Sequence, residues 1–346
     1  MSTQQSDAPA DCEAEGKTNA NNGSLSVSDV LAIMEPAQTV AISGHVNPDG
    51  DALGSALALR DLLEAMGKEV TVLLGQDSPP PALYEFLPNY HFVQASEYDE
   101  TPDLYIVVDA STAKRLGTAE KLIERAGDTL VIDHHARCES FAQHYYSNTT
   151  APATATLIWE IIKASALEPT LNMATYCYVA IMTDTGRFAF RNTDRSAFID
   201  ATEMVDIGVN PAEISKLVYE NKTVQIMRLE ALIIDRLQFA FDNRVVYTYL
   251  LLDDLTMLGL KRDDTEQIPT ILRSIKGVEV AILFRDEGGE GVRVNLRSRG
   301  NYSVGNFAYA LGGGGHAGAA GLTLALPLEE SISTILDNLV KDPDFC

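Results

Sequence analysis

Four places in the chain put aspartate or histidine where a bend would present them. The stretch 43-SGHVNPDGDALGS-55 gathers His45, Asp49 and Asp51 around a Pro and a Gly. Asp109 closes the apolar run in 106-IVVDAS-111. Asp133, His134 and His135 close another in 131-VIDHHA-136. Asp184 enters a Gly turn in 181-IMTDTGRF-188. Carboxylates sharing one crevice repel, and some would have to stay protonated. Divalent cations remove the conflict: Asp49, Asp51, Asp109 and Asp184 carry four negative charges, which match two M²⁺ ions. Carboxylate and imidazole donors without thiolate suit Mn²⁺ or Mg²⁺ better than structural Zn²⁺. Two ions roughly 3.5–4 Å apart can clamp a phosphoryl group during in-line displacement.

Each piece alone has a plainer reading. N-P-D-G is a turn sequence, Asp109 after a strand could cap a helix, and Asp184 could form an Asx-turn. D-H-H is harder to explain that way, because adjacent histidines at a strand end bring no packing advantage. Of the six histidines, three fall in these motifs and a fourth, His316, in the next one; His91 and His144 read as ordinary surface or packing residues.

The second constellation is 312-GGGGHAGAAG-321. Gly312, Gly313, Gly314 and Gly315 would let successive backbone N–H groups point into an anion-binding nest beside His316. The segment after them could begin a helix. A flexible loop is the alternative. Upstream, 293-RVNLRSRG-300 ends a strand with Arg297 and Ser298, and Arg297 could fork onto a phosphate; Arg299 reads as a solvated charge.

Elements able to position these residues follow from the periodicity. Residues 27–34 are amphipathic at helical spacing, 38–43 form a buried strand, 51–67 a helix closed by Gly67, and 69–74 a strand. Short β-branched strands follow at 104–109 and 129–133, then helices near 152–166 and 171–183. Strands alternating with helices imply a parallel sheet with ligands at the carboxyl ends of its strands, where the Asp and His groups can converge. Residues 194–234 read as helical. From about 235 come two strands around Asp242-Asn243, a hairpin over VEVAILFRDEGGEGVRVNLRS, a strand in LTLALP and a closing helix. The expected domains are a disordered N-terminal extension over 1–24, a catalytic metal-binding domain over 25–209, a helical connector over 210–234 and a smaller α/β substrate-binding domain over 235–346. The fold class is α/β, and no internal repeat is evident.

Composition narrows the function. The 346 residues carry a net charge of −23. Such a surface repels long polyphosphate backbones, so a nucleic-acid substrate would be short and locally held. No run of about 18 apolar residues suggests a membrane span, and the N-terminus lacks the basic start and apolar core of a signal peptide. Cys12, Cys138, Cys177 and Cys346 form no C-x-x-C pair, which fits a reduced, cytoplasmic protein.

The whole pattern, H-x-x-x-D-x-D, a later D, D-H-H and D-T-G, resembles the DHH phosphoesterases. The G-G-G-G-H segment with N-L-R-S resembles their C-terminal DHH-associated domain, and the match runs over roughly residues 38–326. The resemblance implies an active-site cleft between two domains. It implies one metal held by His45, Asp49 and Asp109 and another by Asp51, Asp109, His134 and Asp184. Asp133 would orient the cluster, and His135 would sit by the scissile phosphate. Arg297, Ser298, Gly312–Gly315 and His316 would hold the far end of the substrate. Size and domain pairing look most like the bifunctional oligoribonucleases (nanoRNases) that also remove the 3′-phosphate of 3′-phosphoadenosine 5′-phosphate (pAp). The implied chemistry is attack of a hydroxide bridged between two divalent ions, Mn²⁺ ahead of Mg²⁺, on short RNA oligonucleotides and pAp. A dedicated phosphodiesterase for linear dinucleotides such as pApA or pGpG is the rival. A non-catalytic nucleotide-binding regulator would need a broken metal motif, and none is broken. Long duplex nucleic acid and membranes are not expected partners; a homodimer is left open. The chain departs from its relatives at 151-APATAT-156, where they often carry a Ser-Ser-Thr-rich helix start.

Overall fold

A computed structural model of the chain describes residues 25–135, 139–265 and 267–345. The extension expected over 1–24, together with Cys12, Cys138 and Cys346, lies outside the described residues. The chain divides into two compact units, Met1–Glu220 and Asn221–Cys346.

In the first unit the elements are α1 (Val27–Met34), β1 (Thr39–Ser43), α2 (Gly50–Ala65), β2 (Glu69–Leu74), β3 (Val93–Gln94) and β4 (Leu104–Val108). They continue with α3 (Leu122–Arg125), β5 (Asp128–Asp133), β6 (His144–Ser147), α4 (Thr154–Ala164), α5 (Leu171–Asp184), α6 (Arg195–Ile207) and α7 (Pro211–Tyr219). All strand pairs are parallel, in the order β3-β2-β1-β4-β5-β6. The order in which strands are added reverses between β1 and β4, and that switch point is where an open α/β sheet leaves a crevice beyond its strand ends. The sequence LYIVV makes every residue of β4 buried, as a strand covered on both faces requires. The edge strands β3 and β6, which periodicity did not reveal, are short and largely half-buried.

Two glycines set how α5 lies on α2. A Cβ on Gly54 would come 2.5 Å from the Tyr176 carbonyl oxygen, and one on Gly50 would come 2.4 Å from Thr183 Oγ1. The N-terminus of α2 and the C-terminus of α5 therefore meet at one end of the pair. The core here includes Leu53, Leu57, Trp159, Tyr176 and Ile181, and burying such large apolar side chains stabilises roughly 1.5–3 kcal/mol each.

The second unit begins with α8 (Val224–Asp235) and β7 (Gln238–Ala240), then β8 (Val245–Leu250), α9 (Leu252–Leu258), α10 (Ile268–Arg273), β9 (Val280–Asp286) and β10 (Val292–Ser298). It ends with α11 (Val304–Ala310), β11 (Gly314–His316), β12 (Ala319–Leu324) and α12 (Leu328–Lys341). The sheet order is β11-β12-β10-β9-β8-β7. β8 and β9 are parallel, and the other pairs are antiparallel. Helices α9, α10 and α11 were not read from sequence, because pieces of 7, 6 and 7 residues are too short for a helical period to emerge. The helical stretch expected as a connector over 210–234 is divided: α7 belongs to the first unit, while α8 packs Leu229 and Ile233 against Val246 and Leu250 of the second.

One expectation is corrected. The residues after the glycine run do not begin a helix. Gly314–His316 pairs antiparallel with Ala319–Leu324, in the register Gly314↔Gly321, Gly315↔Ala320, His316↔Ala319. The close approach explains two of the glycines. A Cβ on Gly313 would lie 2.4 Å from Gly321 O, and one on Gly315 2.4 Å from Ala319 O, with φ +139° at Gly315.

Candidate metal centre and substrate-binding strands

His45 leaves the end of β1, Asp109 the end of β4, and Asp133 the end of β5, followed by His134 and His135. These are the central strands around the switch point. Asp49 is the N-cap of α2: its Oδ1 accepts from the N–H groups of Asp51 and Ala52 at 3.0 and 3.1 Å. Its Oδ2 faces His45 Nε2 at 3.8 Å. N-P-D-G-D is thus a helix start, with Gly50 in its first turn. Asp109 caps no helix. Its backbone is left-handed, with φ 55°, and its two oxygens face different imidazoles: Oδ2 lies 3.5 Å from His45 Nε2, and Oδ1 lies 3.7 Å from His134 Nε2. His134 Nε2 is also 3.9 Å from Asp51 Oδ2 and 3.8 Å from Asp184 Oδ2. Asp184 is the last residue of α5.

These separations exceed hydrogen-bonding distance. They are close to the roughly 3–3.7 Å that divides two donors on one cation held at ~2.0–2.4 Å. Donor atoms of three groups lie within 4.8 Å of one another: His45, Asp49 and Asp109; Asp51, His134 and Asp184; and Asp109, His134 and His135. The donors are oxygen and imidazole nitrogen throughout, so the residues present fit hard or borderline divalent cations.

Each donor is aimed by a second contact. His45 Nδ1 donates to the Val46 carbonyl at 2.8 Å and His134 Nδ1 to the Ala151 carbonyl at 3.1 Å, turning both Nε2 atoms toward the carboxylates. Asp51, 1 % exposed, accepts from the backbone N–H of Thr154 at 2.7 Å and of Ala155 at 3.0 Å, and from Ser55 Oγ at 3.1 Å. It thereby serves the free N–H groups of α4, which has no side-chain cap of its own. Thr154 Oγ1 donates to Asp109 at 3.0 Å, and Asn192 Nδ2 donates to Asp184 at 3.0 Å. Thr154 and Asn192 were missed in the sequence. Neither has a spacing relation to the residue it holds, and only the fold pairs them. The departure at 151-APATAT-156 lies here: its backbone serves the carboxylates.

Charge in the cluster is unevenly distributed. Burial disfavours the charged ring of His45, but the facing carboxylates of Asp109 and Asp49 push it up to about 10. Burial likewise opposes His134, yet Asp51, Asp109 and Asp184 push it up to about 9. Burial and the Asp109 charge raise Asp51 to about 7, and burial with the Asp51 charge raises Asp184 well above the carboxylate range. Asp109 is opposed by its burial but held far below that range by His45, His135 and His134. Without metal, the cluster keeps protons to balance its carboxylates.

His135 Nδ1 donates to Asp133 Oδ1 at 2.6 Å. Asp133 is fully buried, and its Oδ2 has no hydrogen-bond partner among the described residues. His144 pairs with Asp128 at 3.0 Å on the edge strand β6.

The architecture and the paired domains agree with known proteins. Residues 39–181 match the model of the DHH family, N-terminal domain, and residues 242–342 match that of the DHHA1 domain. A Thermus thermophilus protein named a bifunctional oligoribonuclease and PAP phosphatase is 31 % identical over 316 residues, which cover 90 % of this chain and 91 % of that protein. The chain belongs to the DHH family. A Bacillus subtilis protein of the same name is 26 % identical over 83 % of this chain and 89 % of its own. The crystal structure of an exopolyphosphatase-related protein from Bacteroides fragilis superposes with a TM-score of 0.85, covering 91 % of this chain and 95 % of that one. At 24 % identity that likeness speaks to the fold. The resemblance carried by D-H-H and G-G-G-G-H is therefore sound. No helix among the described residues is long and apolar enough to cross a membrane.

In the second unit of this DHH protein, the register sets Arg297 opposite Ala319 and Ala319 opposite His316, one row across β10, β12 and β11. Arg297 is half-buried, with Nη1 donating to the Leu296 carbonyl at 3.1 Å. Ser298 is 6 % exposed, and its hydroxyl lies 2.7 Å from Tyr302 O and 3.1 Å from Ala317 O, so it ties the turn after β11 to β10. Gly312 has φ +82°. Gly314 stands apart: its φ is not positive, and a Cβ there would meet nothing within 4 Å.

Proposed function

We propose that the chain is a metal-dependent phosphoric ester hydrolase acting on short RNA oligonucleotides and on pAp. The observation that carries the reading is Asp109, whose two oxygens face His45 and His134 separately and so can serve two neighbouring cation sites. The substrate class comes from the relatives named oligoribonuclease and PAP phosphatase, matched over most of both chains. His45, Asp49 and Asp109 would hold one divalent ion, and Asp51, Asp109, His134 and Asp184 the other. Mn²⁺ is favoured over Mg²⁺, because each group includes an imidazole. When bound, the pair would make an attacking water more acidic and offset the charge that develops on the phosphoryl oxygens. Asp133 holds the Nδ1 proton of His135, and the opposite edge of that ring would face the reacting phosphate. Arg297, His316 and the glycine strand would grip the distal end of the substrate, and Ser298 would hold the turn in place.

The test is a panel of pAp, labelled oligoribonucleotides of graded length, pApA and pGpG, each supplied with Mn²⁺ or Mg²⁺. Metal-dependent hydrolysis of pAp and of several oligomer lengths is expected. Turnover confined to the linear dinucleotides would replace this reading with a dedicated dinucleotide phosphodiesterase, and no turnover of any member would remove it.

A further inference from the structure

At the edge of the carboxylate cluster stands a cation with no carboxylate partner among the described residues. Arg115 lies in the 3-10 segment Ala113–Lys121 that follows β4. Its backbone is fixed: its carbonyl accepts from Val46 N–H at 2.7 Å, beside His45, and its N–H donates to Thr112 O at 3.1 Å. Thr118 N–H donates to Gly75 O at 2.8 Å. That contact needs glycine on both sides, since a Cβ on Gly75 would lie 1.8 Å from Leu116 O and Gly117 has φ +56°. The segment is therefore clamped to the carboxyl ends of β1 and β2, and the Arg115 side chain starts from a rigid base.

The half-buried guanidinium reaches the second histidine of D-H-H. Arg115 Nη1 lies 3.3 Å from His135 Nε2. Because His135 Nδ1 donates to Asp133, Nε2 holds the lone pair and accepts from Arg115. Among the described residues Arg115 makes no ion pair, although Asp109 and Asp133 both lie against His135. Those carboxylates meet the ring at Nδ1, whereas Arg115 meets it at Nε2, so the ring stands between the guanidinium and their charge. Here one donor meets a neutral ring nitrogen, and the rest of a five-donor fork is left for something else. The partner that suits a fixed, half-buried, unpaired guanidinium beside two cation sites is a phosphate.

We propose that Arg115 is a phosphate-binding residue of the reaction, donating two charge-assisted hydrogen bonds to the non-bridging oxygens of the phosphoryl group beside His135 Nε2. The proposal rests on the hydrolytic reading of the cluster. Arg115→Ala should lower kcat/KM for pAp roughly 10²–10³-fold, the loss typical of removing one fixed donor to developing charge. Arg115→Lys keeps the charge without the fork, so it should lose about tenfold or more. Melting temperature and Mn²⁺ content should match wild type in both. Guanidinium ion, far below denaturing concentrations, should restore part of the Arg115→Ala rate and do nothing for Arg115→Lys. Calorimetric binding of inorganic phosphate to the Mn²⁺-loaded protein should weaken in Arg115→Ala, and this needs no turnover. Arg115→Ala activity and phosphate affinity both within about threefold of wild type, under 1 kcal/mol, would overturn the proposal. So would an activity loss that tracks lost Mn²⁺ or a lowered melting temperature in both variants without rescue. A wild type that binds phosphate through Arg115 yet hydrolyses no member of the panel would sink the functional reading and leave this site standing.

Discussion

The two units build their candidate sites from opposite materials. In the first, side chains carry everything: four carboxylates and two imidazoles gather at the strand ends, with Asp51 1 % and Asp109 4 % exposed on the side chain. Burying so many like charges is unfavourable unless something compensates them. In the second, the backbone carries the distinctive part: a glycine strand laid on β12, with Arg297, Ala319 and His316 in one row. No buried charge cluster comparable to the first is present among its described residues. A site of buried charge should be tightly coupled to folding, pH and metal. A site carried by the backbone should be coupled to substrate binding alone. The difference can be broken at several points.

Metal removal should have the largest effect. Exhaustive chelation should abolish turnover, and Mn²⁺ should restore it. The pH dependence of the metal-free protein supplies a sign. His45 and His134, pushed up to about 10 and 9, contribute stability that is fully present below about pH 6.5 and is lost as pH rises through those values. Asp51, raised to about 7, acts in the same direction: the folded protein binds its proton more tightly, so stability falls between about pH 4 and 7. Asp109 acts oppositely, but only in acid, below the ordinary carboxylate range. The metal-free melting temperature should therefore fall from about pH 5 to 10. Metal needs deprotonated ligands, so Mn²⁺ stabilisation should grow with pH over the same span. Paired melts with chelator or Mn²⁺ across pH would show curves that diverge as pH rises. Parallel curves would mean that the cluster does not exchange protons for metal.

Asp109→Asn should rank next. It weakens the one side chain facing both halves of the cluster, and a loss of several orders of magnitude in kcat with the fold retained is expected. A variant keeping more than about a tenth of wild-type kcat, a loss of only ~1.4 kcal/mol in barrier, would mean that the two halves do not depend on a shared carboxylate.

The sequence revealed the two sites unequally, for the same reason that they differ physically. His45, Asp49, Asp51, Asp109, His134 and Asp184 are legible because residue type and strand-end position already imply convergence, and a parallel sheet with a switch point supplies the rest. Residues that hold them are not legible. Thr154, Asn192 and Arg115 reach their partners only through tertiary structure and look like ordinary polar residues in the chain. Gly50 was read through turn propensity, yet its use is to let Thr183 and the end of α5 come close. The glycine run misled more. Its composition indicated a nest before a helix, whereas strand pairing with β12 decides its form, and pairing partners distant in sequence leave no local pattern.

The smallest effects should come from the glycine strand, where two neighbours separate fold from binding. Gly315 has φ +139°, and a Cβ would sit 2.4 Å from Ala319 O. Alanine there meets both backbone strain and a steric clash, and about 1–3 kcal/mol of destabilisation is expected. Gly314, one residue earlier in the same strand, has neither constraint. Alanine at Gly314 should leave the melting temperature essentially unchanged, or raise it slightly, because it restricts the unfolded chain. If glycine is kept at Gly314 so that a substrate can approach the backbone closely, Gly314→Ala should raise KM for pAp and short oligoribonucleotides several-fold. It should leave hydrolysis of a minimal artificial phosphodiester untouched, since that substrate offers no distal end to grip. Melting curves and KM on both substrate types, measured for the two variants side by side, decide the point. An unchanged KM in Gly314→Ala would show that the open face of β11 meets no substrate, leaving the grip to Arg297 and His316. A KM raised equally on both substrate types would place the effect in the chemistry instead, and the separation of labour between the two units would fail.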